Sequence, residues 1–204
     1  MEQPGIPKQI HYCWYGDRRQ CPSIFYNKCL PSWHKHYPDF EIIEWNEHNT
    51  PFYQIPELKL ALERKQYALI SDMMRLYILY KYGGIYFDID LEVYRRSEKL
   101  IDRAGYISEY IHGYLGQTII DSGCLSSAGG NIKYKEAFDA VREYTRTYDQ
   151  GTSYTYACTM MPITSRALTS DRSAIKIYWN DLSATNREIP NADMIHHYTA
   201  SWVK

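Results

Sequence analysis

The segment from Ala68 to Asp90 leaves the backbone few choices. Leu69, Met73, Leu76, Tyr77 and Tyr80 recur at helical spacing and form an apolar stripe. Gly83-Gly84 stops that helix, and Lys81 occupies its last turn, where the macrodipole favours a cation. Ile85 to Asp90 then alternates as a strand, with Ile85, Phe87 and Ile89 towards the core and Tyr86, Asp88 and Asp90 on the opposite face. Two carboxylates held side by side repel each other unless a cation lies between them. A hard divalent ion, Mn2+ or Mg2+, that keeps open coordination positions can also hold a diphosphate. The strand end therefore predicts a nucleotide-sugar site with Asp88 and Asp90 as metal ligands. Asp72 and Arg75 share another helix face, and one short turn carries them towards the carboxylates.

The flanking pattern is an alternation of strands and helices. Lys8 to Trp14 reads as a first strand with Gly16-Asp17 turning out of it, and Ser23 to His36 as a helix that Pro31 should bend. Phe40 to Trp45 is a second strand and Pro56 to Lys65 a short helix. This order predicts an α/β fold with a largely parallel, Rossmann-like nucleotide-binding half. Further on, Ala104 to Ser108 and Thr118 to Ser126 read as strands, Lys133 to Tyr148 as a helix and Gly151 to Pro162 as a loop. Ile175 to Tyr178 and Met194 to Tyr198 are short strand candidates. No repeat or linker divides the 204 residues, so a single domain spanning 1–204 is expected. Trp14 ends the first strand, where ligands bind in open α/β sheets, whereas His11 alternates to the other face and reads as structural.

Charge narrows the partners. A formal net charge of -1 gives no long-range attraction for nucleic acid. Arg95, Arg96, Lys99 and Arg103 form a local basic run, read either as a solvated helix face or as a peripheral contact with anionic lipid or a lipid diphosphate. Five cysteines without a C-x-x-C pair suggest reduced thiols, and the opening residues lack the basic and apolar regions of a signal peptide. A cytoplasmic enzyme is the resulting expectation.

Ser71-Asp72-x-x-Arg75 followed by Gly83-Gly84-x-Tyr86-x-Asp88-x-Asp90 resembles the DXD region of glycosyltransferase family 32 and of the related glucosylating bacterial toxins. The opening Ile6-Pro7-Lys8-Gln9-Ile10-His11-Tyr12-Cys13-Trp14, the Ser32-Trp33…Pro38-Asp39-Phe40-Glu41 segment and the closing His196-His197-Tyr198-Thr199-Ala200-Ser201-Trp202 are similar to that family's other motifs, in the same order. The resemblance implies a GT-A fold and transfer of a hexose from a nucleotide sugar to a glycan or lipid-linked oligosaccharide acceptor. Trp14 would stack on the base, Tyr86 would line the nucleoside pocket, and Ser71 would bind the nucleoside or cap its helix. Asp72 and Arg75 would hold donor hydroxyls. Asp90 would ligate the metal directly, and Asp88 would contact ribose or donor sugar and support the metal through water. His196, preferred over His197, would complete the metal shell, with Ser201 and Trp202 on the β-phosphate. Asp121 would meet the oxocarbenium face or the acceptor, although relatives often carry an amide-bearing residue near this point.

Two rival readings remain at this level. The apolar strand ending in D-x-D also resembles that of haloacid-dehalogenase phosphatases, where the first aspartate is a nucleophile, but Glu92 stands where those enzymes carry Thr or Val. A non-catalytic nucleotide-sugar binder is the other, and the intact Arg75, Asp88 and Asp90 set argues against it.

Overall fold

The structure, a computed structural model, describes residues 5–102, 105–112, 117–147, 163–169, 177–179, 183–185 and 192–199. Its central sheet joins β1 (Gln9–Cys13), β2 (Glu41–Trp45), β3 (Gly84–Phe87) and β7 (Cys124–Ser127) in the order β2-β1-β3-β7. β1 runs parallel to both β2 and β3, with Ile10 opposite Ile42 and Ile85, while β7 is antiparallel to β3. Both faces are covered, so apolar residues alternate between two cores rather than between core and water. Ile10, Tyr12, Ile85 and Phe87 pack with Phe25, Trp33 and Tyr37 on one face. Cys13, Trp45, Tyr86 and Leu125 pack on the other with Leu69, Met73 and Leu76 and with Phe138 and Val141.

The helices follow the sequence pattern with local corrections. α1 (Leu30–His36) is preceded by a π-helical turn over Phe25–Cys29, in which the Leu30 N–H reaches back to the Phe25 carbonyl. Pro31 lacks an N–H and cannot continue the ordinary ladder, and a widened turn just ahead of it absorbs the defect. α2 spans Pro56–Glu63 and α3 spans Tyr67–Lys81. The buried surface of α3 is broader than a stripe, because Ile70, Met74, Ile78 and Leu79 are buried as well. After α3, Gly83 and Gly84 adopt φ of +71° and +92°. A Cβ at Gly84 would stand 2.7 Å from the Gln9 carbonyl oxygen, so only glycine lets β3 lie this close to β1.

Two predicted strands end early. β3 stops at Phe87 rather than running to Asp90, and Asp88 to Asp90 form a turn closed by the Leu91 N–H on the Asp88 carbonyl at 3.0 Å. The stretch Thr118 to Ser126 is not one strand but β6 (Gln117–Ile120) and β7, separated at Asp121 to Gly123. The Gly123 N–H donates to Asp121 Oδ1 at 2.9 Å, the side-chain turn that aspartate offers in place of a ladder bond.

β4 (Leu91–Val93) pairs antiparallel with β10 (Met194–His196), and β10 lies parallel to β9 (Ser183–Thr185). β5 (Ile107–His112) pairs with β6 and with β8 (Ile177–Trp179). α4 (Ile132–Thr147) packs on the α3 side of the sheet, and residues 163–168 form a short helix, α5. The predicted loop Gly151 to Pro162 lies outside the described residues. No helix among those described is long and apolar enough to cross a membrane.

Candidate metal and donor site

The antiparallel pairing of β10 with β4 sets His196 opposite Leu91, one residue beyond the turn that carries Asp88 and Asp90. Ligand atoms from Asp88, Asp90 and His196 consequently lie within 4.8 Å of one another. His196 Nε2 is 3.0 Å from Asp90 Oδ1 and 3.9 Å from Asp88 Oδ2. Asp90 is held from its other oxygen, Oδ2, by the Thr199 N–H at 2.8 Å and the Thr199 hydroxyl at 2.9 Å. Burial alone would raise its carboxyl, but His196 and Thr199 outweigh that and hold it at about 2. His196 is raised to about 10, because Asp121 and Asp90 overcome the opposite effect of burial.

Arg75 organises the other side. Its Nη2 lies 2.9 Å from Asp72 Oδ1 and 3.2 Å from Asp88 Oδ1, and its Nη1 donates to the Ser122 carbonyl at 2.7 Å. Its Nε donates to the Ser71 carbonyl at 3.3 Å, and the guanidinium lies 4.8 Å from the Tyr86 ring centroid. Tyr86 in turn donates to Asp88 Oδ1 at 3.0 Å. This is a buried clamp rather than a surface ion pair, since the Arg75 side chain is only 7% exposed. Burial and the neighbouring Asp88 outweigh Arg75 in raising Asp72, to about 6, while Asp72 keeps 21% of its side chain exposed.

Asp72, Arg75, Tyr86, Asp88, Asp90, Asp121 and His196 are thus gathered around one point at the end of β3. Others are not. Ser71 is inside α3 and does not cap it, and its hydroxyl donates to the Tyr67 carbonyl at 3.1 Å. His197 does not belong to the three-ligand group, because its Nε2 pairs with Glu92 Oε2 at 2.8 Å. Trp14 is half-buried, packs against the Ile10 and Trp33 core and has a buried indole N–H that meets no acceptor among the described residues. Ser201 and Trp202 lie outside those residues. His11 is structural: Trp45 donates to its Nδ1 at 3.2 Å, Nε2 is 3.1 Å from the Gly83 carbonyl, and burial pushes the ring down to about 4. In the basic run, Arg95 pairs with Asp193 and Arg96 with Asp39, so both cations are matched within the chain.

Four contributors escape a reading by side-chain spacing. The Ser122 carbonyl holds Arg75, and the Gly123 carbonyl accepts the Asp88 N–H at 2.8 Å. Tyr198 stacks on the His196 ring with centroids 3.9 Å apart, and Thr199 grips Asp90. Their signals in the sequence are the turn composition of Asp121-Ser122-Gly123 and the closing motif that includes Tyr198 and Thr199.

The residues fit a divalent cation. Hard carboxylate oxygens and one imidazole nitrogen suit Mn2+ or Mg2+ and leave coordination positions for a ligand. Among the described residues Asp72, Asp88, Asp90 and Asp121 outnumber Arg75 and a protonated His196, an excess of negative charge that a dication would relieve. A Cβ at Gly123 would stand 2.8 Å from His196 Cε1 and 3.0 Å from Asp88 Oδ2, so the ligands close in over a position only glycine can fill.

Known proteins resemble this chain in sequence and fold. Residues 26–106 match the family described as a glycosyltransferase sugar-binding region containing a DXD motif. Inositol phosphoceramide mannosyltransferase 3 of Schizosaccharomyces pombe is 27% identical over 116 residues, which is 52% of this chain and 30% of that protein. The chain therefore spans less than a third of the length of that relative. Among solved structures, the PaToxG glycosyltransferase superposes with a TM-score of 0.62 at 18% identity, covering 82% of this chain and 70% of that one. The glycosyltransferase GlyE of Streptococcus pneumoniae superposes with a TM-score of 0.55 at 11% identity, covering 92% and 54%. With the motif match in residues 26–106 and a mixed sheet of this form, the chain has the GT-A fold and is similar to DXD-containing glycosyltransferases.

Proposed function

We propose that the protein is a metal-dependent, retaining glycosyltransferase that moves a hexose from a nucleotide sugar, a UDP-sugar first among candidates, to a glycan or lipid-linked acceptor. The observation that carries this reading is the convergence of Asp88, Asp90 and His196 within 4.8 Å, beside the Arg75 clamp. The S. pombe relative, named as a mannosyltransferase acting on inositol phosphoceramide, supports both a hexose and a lipid-bearing acceptor. Cell-surface or capsular polysaccharide assembly on the cytoplasmic side of the membrane is the setting we propose, and the free thiols of Cys13, Cys21, Cys29 and Cys124 agree with it.

Breaking the sugar–phosphate bond places negative charge on the leaving nucleoside diphosphate and positive charge on the anomeric carbon. A bound Mn2+ or Mg2+ supplies the Lewis acidity that stabilises the departing diphosphate. Asp90 and His196 would hold that ion, with Asp88 between it and the donor. Among the described residues Arg75 is held by Asp72, Asp88 and the Ser71 and Ser122 carbonyls, so its part is to keep Asp88 and Asp72 in place. Asp72, still partly exposed, is the group we assign to donor hydroxyls. Trp14 would stack on the base and Tyr86 would back the nucleoside pocket, with Ser201 and Trp202 on the β-phosphate. The phosphatase reading gains nothing from the family match or the fold, both of which are those of glycosyltransferases.

A panel of UDP- and GDP-hexoses, with and without Mn2+, tests the proposal by release of nucleoside diphosphate. We expect slow metal-dependent release with one base preferred, and its loss by a factor of roughly 100 or more in Asp90→Asn with the fold kept. Release of inorganic phosphate from sugar phosphates, or undiminished release in Asp90→Asn, would refute the assignment.

A further inference from the structure

The two nitrogens of His196 have unequal surroundings. Nε2 faces Asp90 and Asp88, while Nδ1 is buried, meets no hydrogen-bond partner among the described residues and lies 3.7 Å from Asp121 Oδ1. At that distance the contact is electrostatic, short of a hydrogen bond. Asp121 is itself 3% exposed. The loop that carries it is fixed on both sides: the Ile120 N–H donates to Ser165 Oγ at 2.9 Å, and the Gly123 N–H donates to Asp121 Oδ1 at 2.9 Å. The imidazole is restrained too, by the Tyr198 ring over its face and by Asp90 at its Nε2 edge. Gly123 makes the approach feasible, since a Cβ there would stand 2.8 Å from His196 Cε1 and 3.1 Å from Asp121 Oδ1.

A metal-bound imidazole has given up one of the two protons of the imidazolium, and whichever nitrogen keeps the other cannot ligate. A carboxylate beside Nδ1 attracts the proton to that nitrogen, and a cation beside Nε2 repels it from the other. We infer that Asp121 is a positioning residue for the metal centre, its carboxylate favouring the His196 proton on Nδ1 so that Nε2 is presented to a divalent cation alongside Asp88 and Asp90. The inference rests on the metal-dependent reading proposed above. It assigns Asp121 away from the oxocarbenium face and the acceptor, the roles expected from the sequence. It also gives a reason for a carboxylate at this point: a negative acceptor makes the imidazole a stronger ligand than a neutral amide would.

The test uses the whole chain and Mn2+ as the probe. Isothermal titration of wild type against Asp121→Asn should show Mn2+ affinity about 10- to 100-fold weaker in the variant, with Asp121→Ala weaker still. Asparagine keeps an oxygen for the Gly123 N–H, so the turn survives that change. A second measurement needs no variant. In wild type saturated with Mg2+, nitrogen-15 NMR should show His196 protonated at Nδ1 and unprotonated at Nε2. Equal Mn2+ affinity in wild type and Asp121→Asn, or an unprotonated Nδ1 in the Mg2+-loaded protein, overturns the inference while leaving the metal-dependent function standing. Failure of wild type to bind either ion overturns both.

Discussion

At the residue scale, the site is built as much from main-chain groups as from the acidic side chains that mark it. Asp88, Asp90 and Arg75 are visible in the sequence because the D-x-D pair and the helical Asp72–Arg75 spacing mark them, although the two carboxylates stand on a turn beyond β3. The Ser122 and Gly123 carbonyls and the Thr199 N–H are invisible to that reasoning, since every residue carries such groups and only tertiary structure aims them. Thr199 shows the consequence. Its hydroxyl and N–H both bind Asp90 Oδ2, which turns Oδ1 towards His196. Thr199→Val keeps the N–H and the shape but removes the hydroxyl. A lost hydrogen bond to a charged group is worth about 1.5 kcal/mol, so Mn2+ affinity measured by titration should fall roughly tenfold. Thr199→Ser should restore it, which a purely steric role for the threonine methyl would not allow.

At the element scale, periodicity located the helices well because their buried faces span several turns. α3 was legible from Leu69, Met73 and Leu76, and its end from Gly83-Gly84, where positive φ and the close Gln9 carbonyl both demand glycine. Strand ends were less legible. Ile85 to Asp90 alternates perfectly, yet the ladder stops at Phe87, because Asp88 gives its N–H to Gly123 and its carbonyl to Leu91. Thr118 to Ser126 reads as one strand for the same reason and is broken by the Asp121 turn. Pairing between helices also lay beyond local pattern. Glu57 on α2 reaches Arg142 at 3.1 Å and also Arg146, both on α4. Burial would raise the Glu57 carboxyl, but its hydrogen bonds, including those from the two arginines, lower it overall. A carboxylate lowered on folding contributes stability above its unfolded value, about 4.3, and loses it as pH falls through the lower folded value. Arg146 is half exposed, so the contribution is modest. Glu57→Gln should cost about 1–2 kcal/mol at pH 7 in urea unfolding. The gap from wild type should narrow steadily below pH 4.

For the whole molecule, the fold places three distant stretches at one point. α3 brings Arg75, the break between β6 and β7 brings Asp121 to Gly123, and β10 brings His196 back against β4. The first of these was predictable from adjacency to the DXD turn. The second and third depend on sheet order, β3 beside β7 and β4 beside β10, which no local pattern encodes. A site closed by segments this far apart in sequence couples ligand binding to global stability, because unfolding any one of them disperses the ligands. Any ligand that binds only the folded form stabilises it in proportion to the logarithm of its concentration over Kd. At a hundredfold excess over Kd the gain is about 2.7 kcal/mol. A chain of this size shifts its Tm by about 2–4 °C per kcal/mol. Mn2+ with UDP should therefore raise the Tm by about 5–10 °C over the protein in chelator, measured by calorimetry. Mn2+ or UDP alone should give a smaller rise, since the ion and the diphosphate share the coordination shell. Asp90→Asn should lose most of the combined shift while keeping the wild-type Tm in chelator to within a few degrees. A full shift with UDP in chelator would place the nucleotide away from Asp88, Asp90 and His196, and would separate nucleotide binding from the cation.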